Sequence, residues 1–149
     1  MAIKQVFLGG TTSLNEWCKG FIERFEARGI NRSVFIDPVV PKWTDEAKAR
    51  EYRQKADRNI LKLYYLGDTG DGSGLFISSN SQDEAHTGLY DDPERTAVVF
   101  DTTGLNRSAS ERLMIIHDRW VGRFPNAPIF QSLIDIEEWL HRFLLKELV

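Results

Sequence analysis

Short, almost wholly apolar runs alternate along this chain with longer stretches in which apolar residues recur every three or four positions. Ile3–Leu8, Ser33–Ile36, Ile60–Leu66, Thr96–Phe100 and Ile129–Phe130 are the strand-like runs, bounded by glycine, asparagine, aspartate or proline. Between the first two, Leu14–Arg28 places Trp17, Cys18, Phe21, Ile22 and Phe25 at helical spacing, and Gly29 follows as a C′ residue. A polar helix is expected over Thr44–Ala56, with Ala47, Ala49, Tyr52 and Ala56 as its packing side. Gln82–Leu89 reads as a short helix and Glu111–Trp120 as a longer one. Leu133–Leu148 closes the chain as an amphipathic helix through Leu133, Ile136, Leu140, Phe143 and Leu144.

Strands separated by helices of this length form βαβ units, because a parallel pair needs a long crossover. Five such strands with helices on both faces predict one domain over residues 1–149. Its class is α/β: a three-layer, flavodoxin-like (Rossmann-like) doubly wound parallel sheet. Such sheets bind ligands beyond the carboxyl ends of their strands. Gly9, Gly10 and Thr11 follow the first strand, and Asp37 and Pro38 the second. The glycine-rich stretch 67–80 follows the third, and Asp101 to Gly104 the fourth. All of these fall on one rim. Asp57 precedes the third strand, which puts it on the opposite rim in a structural role.

Composition narrows the class further. The chain has 149 residues, 42% hydrophobic and 28% charged, with one cysteine and a net charge of −3. One core suffices at this size, and lone Cys18 permits no internal disulfide, so a cytoplasmic protein is expected. Mild acidity argues against a nucleic-acid polymer as partner, which is normally met by a basic stripe. No apolar run approaches the roughly 20 residues of a membrane span.

Candidate chemistry is sparse. Residues 70–74 read Gly-Asp-Gly-Ser-Gly, but the Gly-Lys-Ser/Thr of a P-loop is missing, so 67–80 reads as a lid or surface loop. His86, His117 and His141 are scattered, Cys18 has no partner at ligand spacing, and no metal site is expected. No Gly-x-Ser-x-Gly elbow exists for a serine nucleophile. Glu84 is the most interesting acid. It belongs to Ser81-Gln82-Asp83-Glu84, a capping-box pattern that also occurs at Ser13 to Glu16 and at Ser108 to Glu111. What sets Glu84 apart is its place after the central strand and a long loop, where a carboxylate can attack an anomeric carbon.

The order of motifs resembles the nucleoside 2-deoxyribosyltransferase superfamily, specifically its branch of small, single-domain deoxyribosyltransferase-like proteins. The matching pieces are Val6-Phe7-Leu8-Gly9-Gly10-Thr11 with Trp17 downstream, and Phe35-x-x-Pro38-Val39-Val40-x-x-Trp43-Thr44. Glu51, Ala56-Asp57, Ser81-Gln82-Asp83-Glu84, Pro93 and Thr96–Phe100 continue the match over roughly residues 4–145. The resemblance implies a flavodoxin-like sheet and N-glycosidic bond chemistry on a nucleoside or nucleotide, without a cofactor. It assigns Glu84 as the nucleophile on the sugar C1′ and Glu51 to the acid of the second helix, which family members carry nearer Ala49. Gly9, Gly10, Thr11, Asp37, Trp43 and Ser81 are its substrate-binding candidates. Gly9 and Gly10 would allow close backbone approach, Asp37 a hydrogen bond to a sugar hydroxyl or base edge, and Trp43 stacking on a base or packing of its helix.

Where better-known members carry a glycine-containing run before the nucleophile, this chain has Asn80-Ser81-Gln82-Asp83. That departure leaves two alternatives: a non-catalytic nucleotide-binding sensor or effector, and a TIR-like NAD glycohydrolase. The resemblance also implies a homo-oligomer, with which an exposed surplus of Trp120, Phe124, Phe130 and Trp139 would be compatible.

Overall fold

A computed structural model of the chain describes residues 2–10, 17–39, 42–75 and 79–148, with backbone only at 79 and 80. Five strands, β1 (Gln5–Gly10), β2 (Phe35–Ile36), β3 (Ile60–Leu66), β4 (Thr96–Phe100) and β5 (Ile129–Phe130), form one sheet. Its order is β2-β1-β3-β4-β5 and every pair is parallel. The helices are α1 (Trp17–Ala27), α2 (Asp45–Ala56), α3 (Ser79–Asp91), α4 (Arg107–Arg123) and α5 (Leu133–Glu147). This is the three-layer, flavodoxin-like α/β arrangement expected from the chain pattern.

Burial explains why the strands read as unbroken apolar runs. All seven residues of β3 and all five of β4 are buried, as a parallel sheet covered on both faces requires. One core lies under α1 and α5, where Val6, Leu8, Leu61, Leu63, Tyr65 and Val99 meet Phe21, Phe25, Ile136 and Leu140. The other lies under α3 and α4, where Phe7, Tyr64, Leu66, Val98 and Phe100 meet Ala85, Leu89, Leu113 and Trp120. Trp120 is therefore core, and Phe124, Phe130 and Trp139 pack against the two clusters. The aromatic surface expected of these four is absent. Among the described residues the exposed aromatics are instead Trp43, Tyr52 and Tyr90.

Helix ends follow local chemistry. Gly29 adopts φ +86°, the Gly29 amide donates to Glu26 and the Ile30 amide to Phe25, which completes a Schellman cap on α1. Thr44 caps α2 by accepting from the Ala47 amide, and Ser132 caps α5 by accepting from Asp135. Two capping boxes read from the sequence do not form. Asn106 caps α4 by accepting from Ala109, so that helix starts four residues before the expected Glu111 and encloses Ser108. Helix α3 starts at Ser79, so Ser81 and Glu84 both sit inside it. The third pattern, from Ser13, lies outside the described residues.

The packing side of α2 also differs from expectation. Ala47 alone is buried; Ala49, Tyr52 and Ala56 face solvent, and the inward positions are Glu51, Gln54 and Lys55. Its inward side is therefore polar, and Lys55 on that side pairs with Glu84 of α3. Among the described residues no helix is long and apolar enough to cross a membrane.

Candidate functional site

The 2-1-3-4-5 order reverses direction between β1 and β3, the point where sheets of this type form a crevice. A groove of about 400 Å³, within the range of small-molecule sites, opens instead on the α2/α3 face of the sheet and runs from Glu84 towards the amino ends of β3 and β4, not beyond the carboxyl ends where chain order places the binding rim. Its floor is Lys62 and Tyr64 of β3 and Thr96 of β4. Its walls are Tyr52, Lys55 and Ala56 of α2 and Asp83, Glu84, Thr87, Gly88, Asp91 and Asp92 at α3 and its end.

A three-residue charge cluster stands beside the groove, with Lys55 and Glu84 lining it and Glu51 outside its lining. Lys55 Nζ lies 2.9 Å from Glu84 Oε1 and 3.2 Å from Glu51 Oε2. The same ammonium stands 5.7 Å from the centre of the Phe7 ring, on the face of β1. Thus the two acids singled out from the sequence, 33 positions apart, converge on one cation. Glu84 remains the more open, with 40% of its side chain exposed against 22% for Glu51. Beneath them burial, and then the charges of Glu84 and Glu51, push the Tyr64 phenol well above its ordinary value. It therefore stays a neutral hydroxyl donor throughout the physiological range.

Lys62 is the group that the sequence reading passed over. It interrupts Ile60–Leu66, keeps 5% exposure, and donates from Nζ to the Asp57 carbonyl at 2.6 Å. Desolvation lowers its affinity for a proton, while the charges of Asp92 and Asp57 oppose that shift. A lone lysine in an otherwise apolar strand was the available signal. Lys55 had a signal as well, since Glu51 and Lys55 stand at i,i+4; its second partner could only be found in three dimensions. Asp57 lies at the amino end of β3, as chain order predicts. It pairs with Lys4 at 2.8 Å and accepts from the Asn59 amide, and the Lys4 bond leads in holding its carboxyl below the ordinary value.

None of the remaining described candidates lines the groove. Gly9 and Gly10 are explained by packing within the sheet. A methyl group on Gly9 would come within 2.9 Å of the Phe7 and Tyr64 rings, and one on Gly10 within 2.1 Å of the Tyr65 carbonyl oxygen. Gly10 also holds φ +99°, which L side chains rarely adopt. Asp37 is exposed and turns back to accept from the Val39 amide. After burial, its charge is the second factor raising the Cys18 thiol. Trp43 is 55% exposed just before the α2 cap, so its ring is not spent on packing that helix. Ser81 is half-buried in the first part of α3, and Thr11 lies outside the described residues.

The glycine-rich segment is pinned where it is described. Asp68 and Asp71 accept from the amides of Gly70 and Ser73, and the Asn106 amide donates to the Gly74 carbonyl at 2.7 Å. These bonds turn the segment onto the α4 N-terminus and hold it as a surface loop. Among the described residues no group of His, Cys, Asp and Glu is placed to hold a metal ion.

No protein-family model, no curated protein and no solved structure matches the chain.

Proposed function

We propose that the protein acts on the N-glycosidic bond of a nucleoside-type substrate, with Glu84 as nucleophile. The observation that carries this reading is the convergence of Glu84 and Glu51 on Lys55 above the Tyr64 floor, beside a groove on the α2/α3 face of the sheet.

The chemistry follows from the residue types. Glu84 offers an oxygen that is not the one bonded to Lys55. Attack on C1′ forms a carbon–oxygen bond while the carbon–nitrogen bond breaks, and its electron pair leaves on the base. The base takes a proton from water at the open mouth of the groove. A glycosyl ester remains on Glu84 until a second base or water attacks C1′ and releases the carboxylate. A carboxylate held over the sugar offsets positive charge as the oxocarbenium-like transition state develops. Tyr52, exposed in the groove wall, supplies a face on which a departing or incoming base can stack. Transfer and hydrolysis share the first half-reaction and differ only in what attacks second.

The test is incubation with a panel of 2′-deoxynucleosides and their monophosphates, with and without a second free base, followed by chromatography. Base release or exchange is expected, with Glu84→Gln reducing it by about a hundredfold or more. Absence of any released or exchanged base, or a Glu84→Gln variant as active as the parent, would overturn the reading. NAD belongs in the same panel, because nicotinamide release would assign the chain to NAD glycohydrolysis instead. Thermal stabilisation by a nucleotide without turnover would mark a binding module; a ligand at 100 times its Kd adds about 2.7 kcal/mol.

A further inference from the structure

The Lys55–Glu84 bond joins the side chains of α2 and α3. Both helices wall the groove, and α2 has little apolar surface with which to hold its position, Ala47 being its single buried residue. Helix α3 is anchored in the core by Ala85 and Leu89, so its backbone is placed by packing, while the Glu84 carboxylate, 40% exposed, is oriented in the groove by its contact with Lys55.

We infer that Lys55 is a positioning residue for Glu84, and that Glu51 acts through Lys55 rather than on the substrate. This rests on the reading of Glu84 as the nucleophile. Three features support it. Glu51 precedes Lys55 by one helical turn, the favoured order for such a pair, so the ammonium is drawn towards α3 by a partner on its own helix. Lys55 touches one oxygen of Glu84, which leaves the other free to attack. The Phe7 ring lies beneath the ammonium and limits its excursions on the sheet side. Around this cluster the groove presents Asp83, Asp91 and Asp92 as further acids, and Lys62 as its other cation. Lys62 is already bonded to the Asp57 carbonyl, so Lys55 has no substitute near Glu84.

The arrangement suits a two-step reaction. When Glu84 is esterified its negative charge disappears, and the ammonium would lose its partner. Glu51 keeps Lys55 paired and in place through that interval, ready to receive the carboxylate when the ester is cleaved. No proton moves between the three groups in either half. Lys55 remains an ammonium and Glu51 a carboxylate throughout.

Two measurements test this. In the first, kcat and KM for base release are compared in the parent, Lys55→Met, Lys55→Arg and Glu51→Gln proteins. Lys55→Met is expected to lower kcat by about ten- to a hundredfold with KM nearly unchanged, because orientation and not affinity is lost. Lys55→Arg should recover most of that loss, and Glu51→Gln should fall between. A Lys55→Met protein with parental kcat, or one in which only KM rises, would overturn the assignment. In the second, the Lys55 ammonium is followed by lysine-selective 1H–15N NMR in the parent, Glu84→Gln and Glu51→Gln. Both substitutions should shift its resonance and speed its exchange with water; a signal indifferent to Glu84→Gln would overturn the clamp, whatever the activity. A protein that shows the NMR response and no turnover of any nucleoside would instead refute the catalytic reading while leaving the clamp in place.

Discussion

The Tyr65 hydroxyl donates to Asp101 Oδ2 at 2.8 Å, joining the carboxyl end of β3 to the loop that follows β4. Trp17 stacks on the same tyrosine, ring centres 5.1 Å apart, so α1 is tied into the joint as well. The other Asp101 oxygen accepts from the Thr103 amide and shapes the loop behind it. Three segments at the carboxyl end of the sheet thus meet at one phenol. Tyr65→Phe retains the stack but leaves a charged acceptor short of a partner, and is expected to cost about 1–3 kcal/mol. Denaturant unfolding measures this directly; a loss below about 0.5 kcal/mol would show that the bond carries no stability.

The two glycines that end β1 are expected to differ sharply in tolerance. Gly10→Ala brings a methyl group against the Tyr65 backbone at a positive φ, which neither rotamer change nor small shifts relieve. A cost above about 3 kcal/mol is expected, enough to deplete soluble protein. Gly9→Ala meets only the Phe7 and Tyr64 rings, which can move slightly, and should cost about 1–3 kcal/mol. Equal melting temperatures for the two variants would contradict this account.

Alkaline pH should destabilise the fold by a defined route. Burial raises both the Cys18 thiol and the Tyr64 phenol above their ordinary values of 9.0 and 10.0. Above these values the unfolded chain loses protons that the folded chain keeps, so stability falls as pH rises. The stabilisation is complete below about pH 8 and diminishes from pH 9 upwards. Cys18→Ala and Tyr64→Phe should each flatten the decline, read as Tm against pH between 8 and 11. A profile unchanged in the double variant would remove these groups as its cause.

The groove should prefer uncharged nucleosides to their 5′-monophosphates. Asp83, Glu84, Asp91 and Asp92 line it against Lys55 and Lys62, and both ammoniums are engaged by protein oxygens. A phosphate entering there meets uncompensated like charge. Calorimetric titration is expected to give at least about tenfold weaker binding for the monophosphate, with the gap narrowing in high salt. Tighter binding of the monophosphate would place the ligand's phosphate outside this groove.

Acid should act through the opposite rim. The Lys4 bond, with help from the Asn59 amide, holds Asp57 below its ordinary 3.8. Its contribution is present above that value and is lost as pH falls through the lower folded one. Asp57→Asn should therefore reduce stability at neutral pH and shrink the acid limb of the Tm profile. A parental acid limb in this variant would remove Asp57 from the account.

Most of the architecture was legible in the chain itself. Apolar runs such as Ile60–Leu66 betray parallel strands because both faces are covered, and Gly29 marks a helix end because few other residues accept its backbone. Local signals were weaker where two residues competed for one role. Ser108 fits a capping pattern, yet Asn106 takes the cap two residues earlier, and Ser81 is overtaken by a helix that begins at Ser79.

The site divides in the same way. Sequence by itself determined that Glu84 would follow β3, that Glu51 would lie on α2, and that Asp57 would sit on the far rim, since chain order along a doubly wound sheet settles these. Only tertiary structure decided that Lys55 stands between the two glutamates, that α2 turns Glu51, Gln54 and Lys55 inward, and that Lys62 is buried in the groove floor. These depend on how side chains from separate helices and strands meet across the sheet. Periodicity along one element carries no information about its neighbour, and a lysine's reach of several ångströms lets it serve either its own helix or the next.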